Sequence, residues 1–261
     1  MSGEPRHEDE YDDALVSLLE LIWGEGFLSP GGPQAVREIV AGLDLAEKTV
    51  LDIGCGLGGI DVLLAQEYGC RVIGLDIEAS LVERGRRRVA GADLADRVDL
   101  RLVEPGPLPL TEAEVDVVFA KDAWIHIEDK RGLFAEVHRV LRPGGVLTAG
   151  DWLRGPEPYS KDMEYFFELE GLTYHMDTLE NYGAILRDCG FTDVDLTDIS
   201  GQYRAQAHDE YARMKGPLRK AMLETLGPEK QAHFVENWRA LCVVLDKGEL
   251  RPGRLRARKP G

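Results

Sequence analysis

The stretch LDIGCGLGG at 51–59 constrains the fold of this chain more than any other segment. It follows a β-branched run, TVLDIG (49–54), and leads straight into IDVLLAQEY (60–68), whose apolar residues recur at helical spacing. Glycines at 54, 56 and 58 permit a tight strand-to-helix turn and let the backbone approach a ligand within van der Waals contact. The helix N-terminus beyond the turn favours an anionic group such as a carboxylate. Strand, glycine turn and helix in this order predict a parallel sheet with crossover helices.

The same unit then repeats. CRVIGLDI (70–77), RVDLRLVE (97–104), VDVVFAKD (115–122) and GVLTAGDW (145–152) read as buried strands, with helices at ASLVERGRRRVA (79–90) and KRGLFAEVHRVL (130–141). Upstream, ALVSLLELI (14–22) predicts a helix broken by WGEGFLSPGG (23–32), and residues 33–43 a second one with Pro33 in its first turn. After 152 the rhythm changes. Residues 153–177 show no clear period, TLENYGAILRDCG (178–190) predicts a helix, and FTDVDLTDI (191–199) a strand. Two or three helices follow over 203–246, broken at Gly216-Pro217 and Gly227-Pro228, before a last strand at GRLRARK (253–259). The expected organisation is N-terminal lid helices (1–47), a ligand-binding core (48–152) and a C-terminal part (153–261), all in one globular domain. The C-terminal part carries a helical insertion between the last two strands.

Four acids fall at or near the carboxyl ends of the strands, where open α/β sheets bind ligands. Asp52 sits just before the glycine loop. Asp76 lies about 22 residues beyond Gly54, where a carboxylate can take both hydroxyls of a ribose. Glu104 comes within reach of an adenine amino group, and Asp122 ends the fourth strand. A dinucleotide oxidoreductase would share the first glycines and Asp76.

Composition removes other classes. With 47 Asp+Glu against 31 Lys+Arg the net charge is −16, unsuited to a nucleic-acid footprint or an anionic membrane surface. No run of 18 apolar residues exists, and MSGEPRHEDEYDD lacks the pattern of a secretory signal. Cys55, Cys70, Cys189 and Cys242 show no metal-binding spacing and read as reduced thiols, which together predict a cytoplasmic protein. The basic run Arg84, Arg86, Arg87 and Arg88 reads as a solvated helix face. Arg254, Arg256 and Arg258 read as the outward face of a strand, discouraging edge pairing. Trp23, Phe27 and Trp152 read as packing residues more readily than as a substrate cage, in which cation–π attraction to an ammonium or sulfonium would be available.

The DxGxGxG spacing, the acid at the third strand and the RPGG turn (142–145) resemble class I S-adenosylmethionine-dependent methyltransferases. The resemblance is strong over 48–152 and extends to 178–199 and 253–259. It implies a Rossmann-like α/β sheet of seven strands, the seventh antiparallel, with S-adenosylmethionine as cofactor. It also implies cofactor contacts from Asp52, Gly54, Gly56, Gly58, Asp76, Ile77, Glu104 and Lys121.

A second resemblance narrows the acceptor. YDDALVSLLELIWGEGFLSPGG (11–32), KDAWIHI (121–127) and NYGAILRDCGF (181–191) are similar to phosphoethanolamine N-methyltransferases and to sarcosine/dimethylglycine N-methyltransferases. The likeness implies that Tyr11 and His126 close a catalytic latch and that Asp122 holds the acceptor amine. It also implies that Tyr174 lines the acceptor pocket and Ser29 approaches the cofactor's carboxylate. Departures accompany the matches. Where the phosphobase enzymes grip phosphate, an ungapped placement puts Leu172 on an Arg, Glu168 and Trp152 on tyrosines, Leu19 on another tyrosine, and Ala240 or Leu241 on a Lys. Losing both cations would cost several kcal/mol at about 1.5–3 per charge-assisted bond. A small cationic or zwitterionic amine or amino acid is therefore the expected acceptor, with Trp152 and Glu168 in its pocket. The alternatives are a thioether such as methionine, phosphoethanolamine, a natural-product hydroxyl, or a cofactor-binding protein without turnover. The expected partners are small molecules alone, without metal, in a monomer or homodimer.

An ammonium of pKa about 10 is only about 0.1% neutral at pH 7, a handicap of about 4 kcal/mol. N-methylation therefore benefits from a base, and His126 with Tyr11 is the candidate.

Overall fold

Residues 11 and 13–261 are described by a computed structural model, and the alternating pattern resolves into a seven-stranded sheet. Strands β1 (Thr49–Ile53), β2 (Arg71–Asp76), β3 (Val98–Leu102), β4 (Val115–Lys121) and β5 (Leu141–Asp151) run parallel in the order β3-β2-β1-β4-β5. The order reverses direction between β1 and β4, and the glycine loop leaves the carboxyl end of β1 at that switch point. Beyond β5 lie β7 (Gly253–Arg258) and then β6 (Thr192–Asp198), both pairs antiparallel. This is the class I methyltransferase topology expected from the sequence.

Successive strand residues serve opposite faces. Leu51 and Val118 join a cluster with Phe134, Tyr182 and Leu186, whereas Val50, Val72 and Phe119 join Val36, Ile39 and Leu64 on the other side. The second face is covered by α2 (Gly32–Ile39), α3 (Gly59–Tyr68) and α4 (Ala79–Gly91), the first by α5 (Lys130–Val140) and α7 (Leu179–Asp188). A third cluster, including Leu18, Ile125, Trp152, Phe166 and Trp238, joins α1 (Asp13–Trp23) to α6 (Lys161–Glu170), α8 (Ser200–Lys215) and α9 (Arg219–Asp246). The helical insertion between β6 and β7 is thus α8 and α9; Gly216 caps α8, and Gly227 (φ 76°) breaks α9 before Pro228.

Several sequence expectations are corrected. The segment 153–177 contains α6, whose Ser160 hydroxyl accepts from Asp162 N and whose Gly171 closes it in the left-handed region. Its Met163 and Phe166 are buried, each contributing about 1.5–3 kcal/mol. The RPGG segment lies inside β5, at a register shift opposite Val115 and Val117. The terminal arginines do not guard an edge, because β6 is the edge and β7 is internal. Arg256 instead donates to Ile39 O (2.6 Å) and Ala41 O (3.0 Å), and Arg254 pairs with Glu38, so both tie α2 to the sheet.

Two acids lie in the core beside the glycine loop. Asp52 and Asp61 are fully buried, and their carboxyl oxygens make no hydrogen bond among the described residues. Burial, reinforced by the mutual charge of Asp61 and Asp76, pushes Asp52 well above the usual range, and burial pushes Asp61 up to about 7. An acid whose folded pKa is raised binds its proton more tightly in the folded chain, so stability falls as pH rises from about 4 towards 7. Asp61→Asn is expected to flatten that slope. Urea unfolding at pH 4.5 and 7.5 checks it: the wild type should lose more stability over the interval than the variant.

Candidate active site

Backbone geometry at the end of β4 builds the centre of the site. Asp122 follows Lys121 with φ 52°, a left-handed conformation that Asp tolerates better than most residues, at a cost of about 1 kcal/mol. Its N–H donates to Gly150 O at 2.9 Å, anchoring the turn to β5. The following Ala123 faces the glycine loop so closely that a Cβ on Gly54 (φ 87°) would lie 2.4 Å from Ala123 Cβ. Gly54 is therefore required both by its dihedral and by its neighbour.

The Asp122 carboxylate is almost enclosed and paired with the Lys121 ammonium. Burial raises its pKa, opposed by Lys121 and by His126. Both residues line a cavity of about 270 Å³ with Gly31, Gln34, Tyr203 and Arg254, bounded by α2, α8 and β7. The Tyr203 hydroxyl and Trp152 Nε1 are both buried, their rings 6.0 Å apart. The glycine loop and Asp76 lie outside the lining of that cavity.

A 3₁₀ turn, Trp124–His126, carries the next group. His126 is exposed, and its Nδ1 lies 3.2 Å from Thr173 O. A carbonyl only accepts, so Nδ1 carries a hydrogen and Nε2 is the nitrogen that can exchange a proton. The imidazole sits 5.5 Å from the Tyr174 ring, which is 6.2 Å from Trp152. The Tyr174 hydroxyl donates to Glu170 Oε2 at 2.7 Å, and burial raises the pKa of that acid. Tyr11 is partly buried against both the α1–α9 cluster and the Val16–Leu57–Leu81 cluster.

A second group of residues forms a ledge over β2 and β3. Asp76 takes Gly56 N on Oδ2 (2.7 Å) and Glu78 N on Oδ1 (2.9 Å), which holds its carboxylate at the mouth of the glycine loop. Its strand partner Leu102 and its neighbour Ile77 are 49% and 43% exposed, large apolar side chains turned to solvent at the carboxyl end of the sheet. Glu104 is exposed, two residues beyond the end of β3.

The matching family model is a methyltransferase domain, covering residues 51–149. The chain is 32% identical over 197 residues to the phosphoethanolamine N-methyltransferase of Plasmodium falciparum, covering 74% of this chain and 72% of that one. It is 30% identical over 262 residues to the 27-O-demethylrifamycin SV methyltransferase of Amycolatopsis mediterranei, covering 95% of each. The chain belongs to the S-adenosylmethionine-dependent methyltransferases. It spans about half the length of wheat phosphoethanolamine N-methyltransferase 1, at 30% identity over 96% of this chain and 49% of that relative. A Haemonchus contortus phosphoethanolamine N-methyltransferase 2 structure, with phosphomonomethylethanolamine and S-adenosylhomocysteine, shares the fold. Its TM-score is 0.90 at 24% identity, over 97% of this chain and 59% of that one.

The ledge would suit the cofactor of the methyltransferases: Ile77 and Leu102 would offer apolar edges to a base beside the Asp76 carboxylate, and among the described residues a Cβ added to Gly56 would meet Leu28, at 3.3 Å. Ser29 lies partly buried in the loop ahead of α2. Glu168 is exposed on α6, while Glu170 on the same helix is the acid that reaches Tyr174.

The methyltransferase also uses residues that the sequence reading placed elsewhere. Arg84 and Arg88 do not form a solvated face. Arg88 donates to Glu20 Oε1 (2.8 Å), Glu25 (2.8 Å) and Leu57 O (3.2 Å), and Arg84 to Asp13 (3.2 Å), so α4 clamps α1. At the far end of α1, Trp23 Nε1 donates to the buried Glu210 at 2.7 Å, and Trp238 Nε1 joins it at 3.1 Å. Glu20→Gln should weaken the α4 clamp by about 1 kcal/mol. Limited proteolysis checks this, with cleavage within α1 expected to be about fivefold faster, and more so at low salt.

Proposed function

We propose that this methyltransferase acts on a small cationic or zwitterionic amine or amino acid, with Asp122 orienting the acceptor and His126 with Tyr11 closing the site. The observation that supports this most is the Asp122 turn, which sets a nearly enclosed carboxylate between His126 and a cavity of about 270 Å³. Bound S-adenosylmethionine supplies a methyl group on a sulfonium. Asp122 holds the acceptor ammonium by charge, Trp152 and Tyr174 offer ring faces to a cation, and His126 Nε2 takes the proton that must leave before the nitrogen lone pair can react. Positioning of that lone pair supplies most of the remaining catalysis.

The cofactor is read as lying along Gly54, Gly56, Gly58, Asp76, Ile77 and Glu104, its carboxylate end towards Ser29 and Lys121, with Asp52 buried beneath the loop. Against a phosphate-bearing acceptor, Leu172, Ala240 and Leu241 supply no cation, and Glu170 beside Tyr174 is an acid. The net charge of −16 favours approach of cationic acceptors. Reduced thiols and the acidic surface suit the cytoplasm, and no helix among the described residues is long and apolar enough to cross a membrane. A natural-product hydroxyl is the second reading, favoured by the rifamycin methyltransferase that matches over 95% of both chains.

A labelled-methyl assay across glycine, sarcosine, dimethylglycine, phosphoethanolamine, methionine and a macrolide alcohol tests the choice. Transfer to the glycine series, rising with pH, is expected. Transfer to methionine alone, flat across pH 6–9, or to the alcohol alone, would overturn it.

A further inference from the structure

Lys130 opens α5, a position that runs against local preference, because a cation at a helix N-terminus opposes the helix dipole. It is nevertheless only 5% exposed. Its Nζ donates to Trp124 O (2.7 Å), His175 O (2.9 Å) and Ile127 O. An ammonium has three N–H donors, so these carbonyls account for all of them. They come from two separate segments. Trp124 and Ile127 bracket His126 on the turn after β4, and His175 follows Tyr174 on the strap after α6. The same segments are joined by His175 N to Ile125 O (2.7 Å) and by His126 Nδ1 to Thr173 O (3.2 Å). Asp151 from β5 and Asp177 from the strap face the ammonium and favour its charge against burial, and the Tyr182 ring of α7 lies 5.8 Å from Nζ.

We propose that Lys130 is a positioning residue for methyl transfer: its ammonium ties the turn bearing His126 to the strap bearing Tyr174 and so sets the base against the acceptor pocket. This rests on the reading of His126 as the base. The three carbonyls that the lysine holds lie on neither the ledge nor the glycine loop, so cofactor binding should be insensitive to it.

The test uses full-length protein with ¹³C-labelled histidine, the His126 resonance assigned by its loss in His126→Asn. Lys130→Met keeps the stem and removes every donor. It should shift or broaden the His126 resonance, leave that of His208 (paired with Asp246 on the far side of the insertion) in place, and keep S-adenosylhomocysteine affinity within threefold by calorimetry. Turnover should fall at least tenfold. Lys130→Gln, with two donors, should fall between, and it carries the same readouts if the Met variant does not fold. An unmoved His126 resonance, or a moved one with wild-type turnover in an enzyme that His126→Ala does impair, overturns the proposal. If His126→Ala itself retains full turnover, the base assignment fails instead, and the resonance alone still reports whether Lys130 holds the turn.

Discussion

His126→Ala is expected to lower kcat for an amine acceptor by about a hundredfold, the low end of what a positioned general base contributes. The cause is the fixed tautomer. Thr173 O takes the Nδ1 hydrogen, which leaves Nε2 as the basic nitrogen on a turn held against the strap. Since only about 0.1% of an ammonium of pKa 10 is neutral at pH 7, loss of the base leaves the reaction dependent on that fraction. The log of the residual rate should then climb with unit slope towards pH 9. S-adenosylhomocysteine affinity should stay within about threefold, because the imidazole is held by Thr173 O on the strap rather than on the ledge of Ile77 and Leu102. Initial rates from pH 6 to 9 with calorimetry in parallel check both statements; a wild-type rate and profile would remove His126 from the mechanism.

Asp76→Ala should have the larger effect on the cofactor, raising its Kd a hundredfold or more. The carboxylate accepts the N–H groups of Gly56 and Glu78, and charge-assisted bonds of this kind contribute about 1.5–3 kcal/mol each. Removing it frees the glycine loop as well as the group read as the ribose ligand, so two terms fall together, and about 1.4 kcal/mol corresponds to each factor of ten. Asp76→Asn keeps an acceptor oxygen for Gly56 but loses the charge, and should lie between. Titration with S-adenosylhomocysteine measures this without any acceptor; a Kd within threefold of wild type in Asp76→Ala would exclude the assignment.

Much of this architecture is legible in the chain before any coordinates. Parallel strands buried on both faces read as near-continuous apolar runs, and the glycine loop with Asp76 at the end of the next strand marks the switch point. The α6 helix is harder to see, because only Met163 and Phe166 of its ten residues are buried and its period is faint. Ser160 and Gly171, a capping hydroxyl and a left-handed stop, were the available signals. Glu168 and Glu170 show the limit of placement by likeness. Two residues apart on a helix they point to nearly opposite sides, at about 200°, so Glu168 is exposed while Glu170 reaches the Tyr174 hydroxyl.

The sequence by itself determined the sheet and the acids along its carboxyl edge, because those follow from short-range periodicity and from turn chemistry within a few residues; the cofactor class came from the likeness of that loop and those acids to a known family. What only the tertiary structure decided depends on partners far apart in the chain. Arg88 meets Glu20 across 68 residues, Trp23 meets Glu210 across 187, and Lys130 meets His175 across 45. A charged side chain in a sequence carries no record of which distant carbonyl or carboxylate will desolvate it. The solvated basic run and the guarded edge strand were each the natural reading of local composition. Packing turned them into a clamp between α4 and α1 and a brace on α2, and it buried Lys130 as a tie beneath the turn that carries His126.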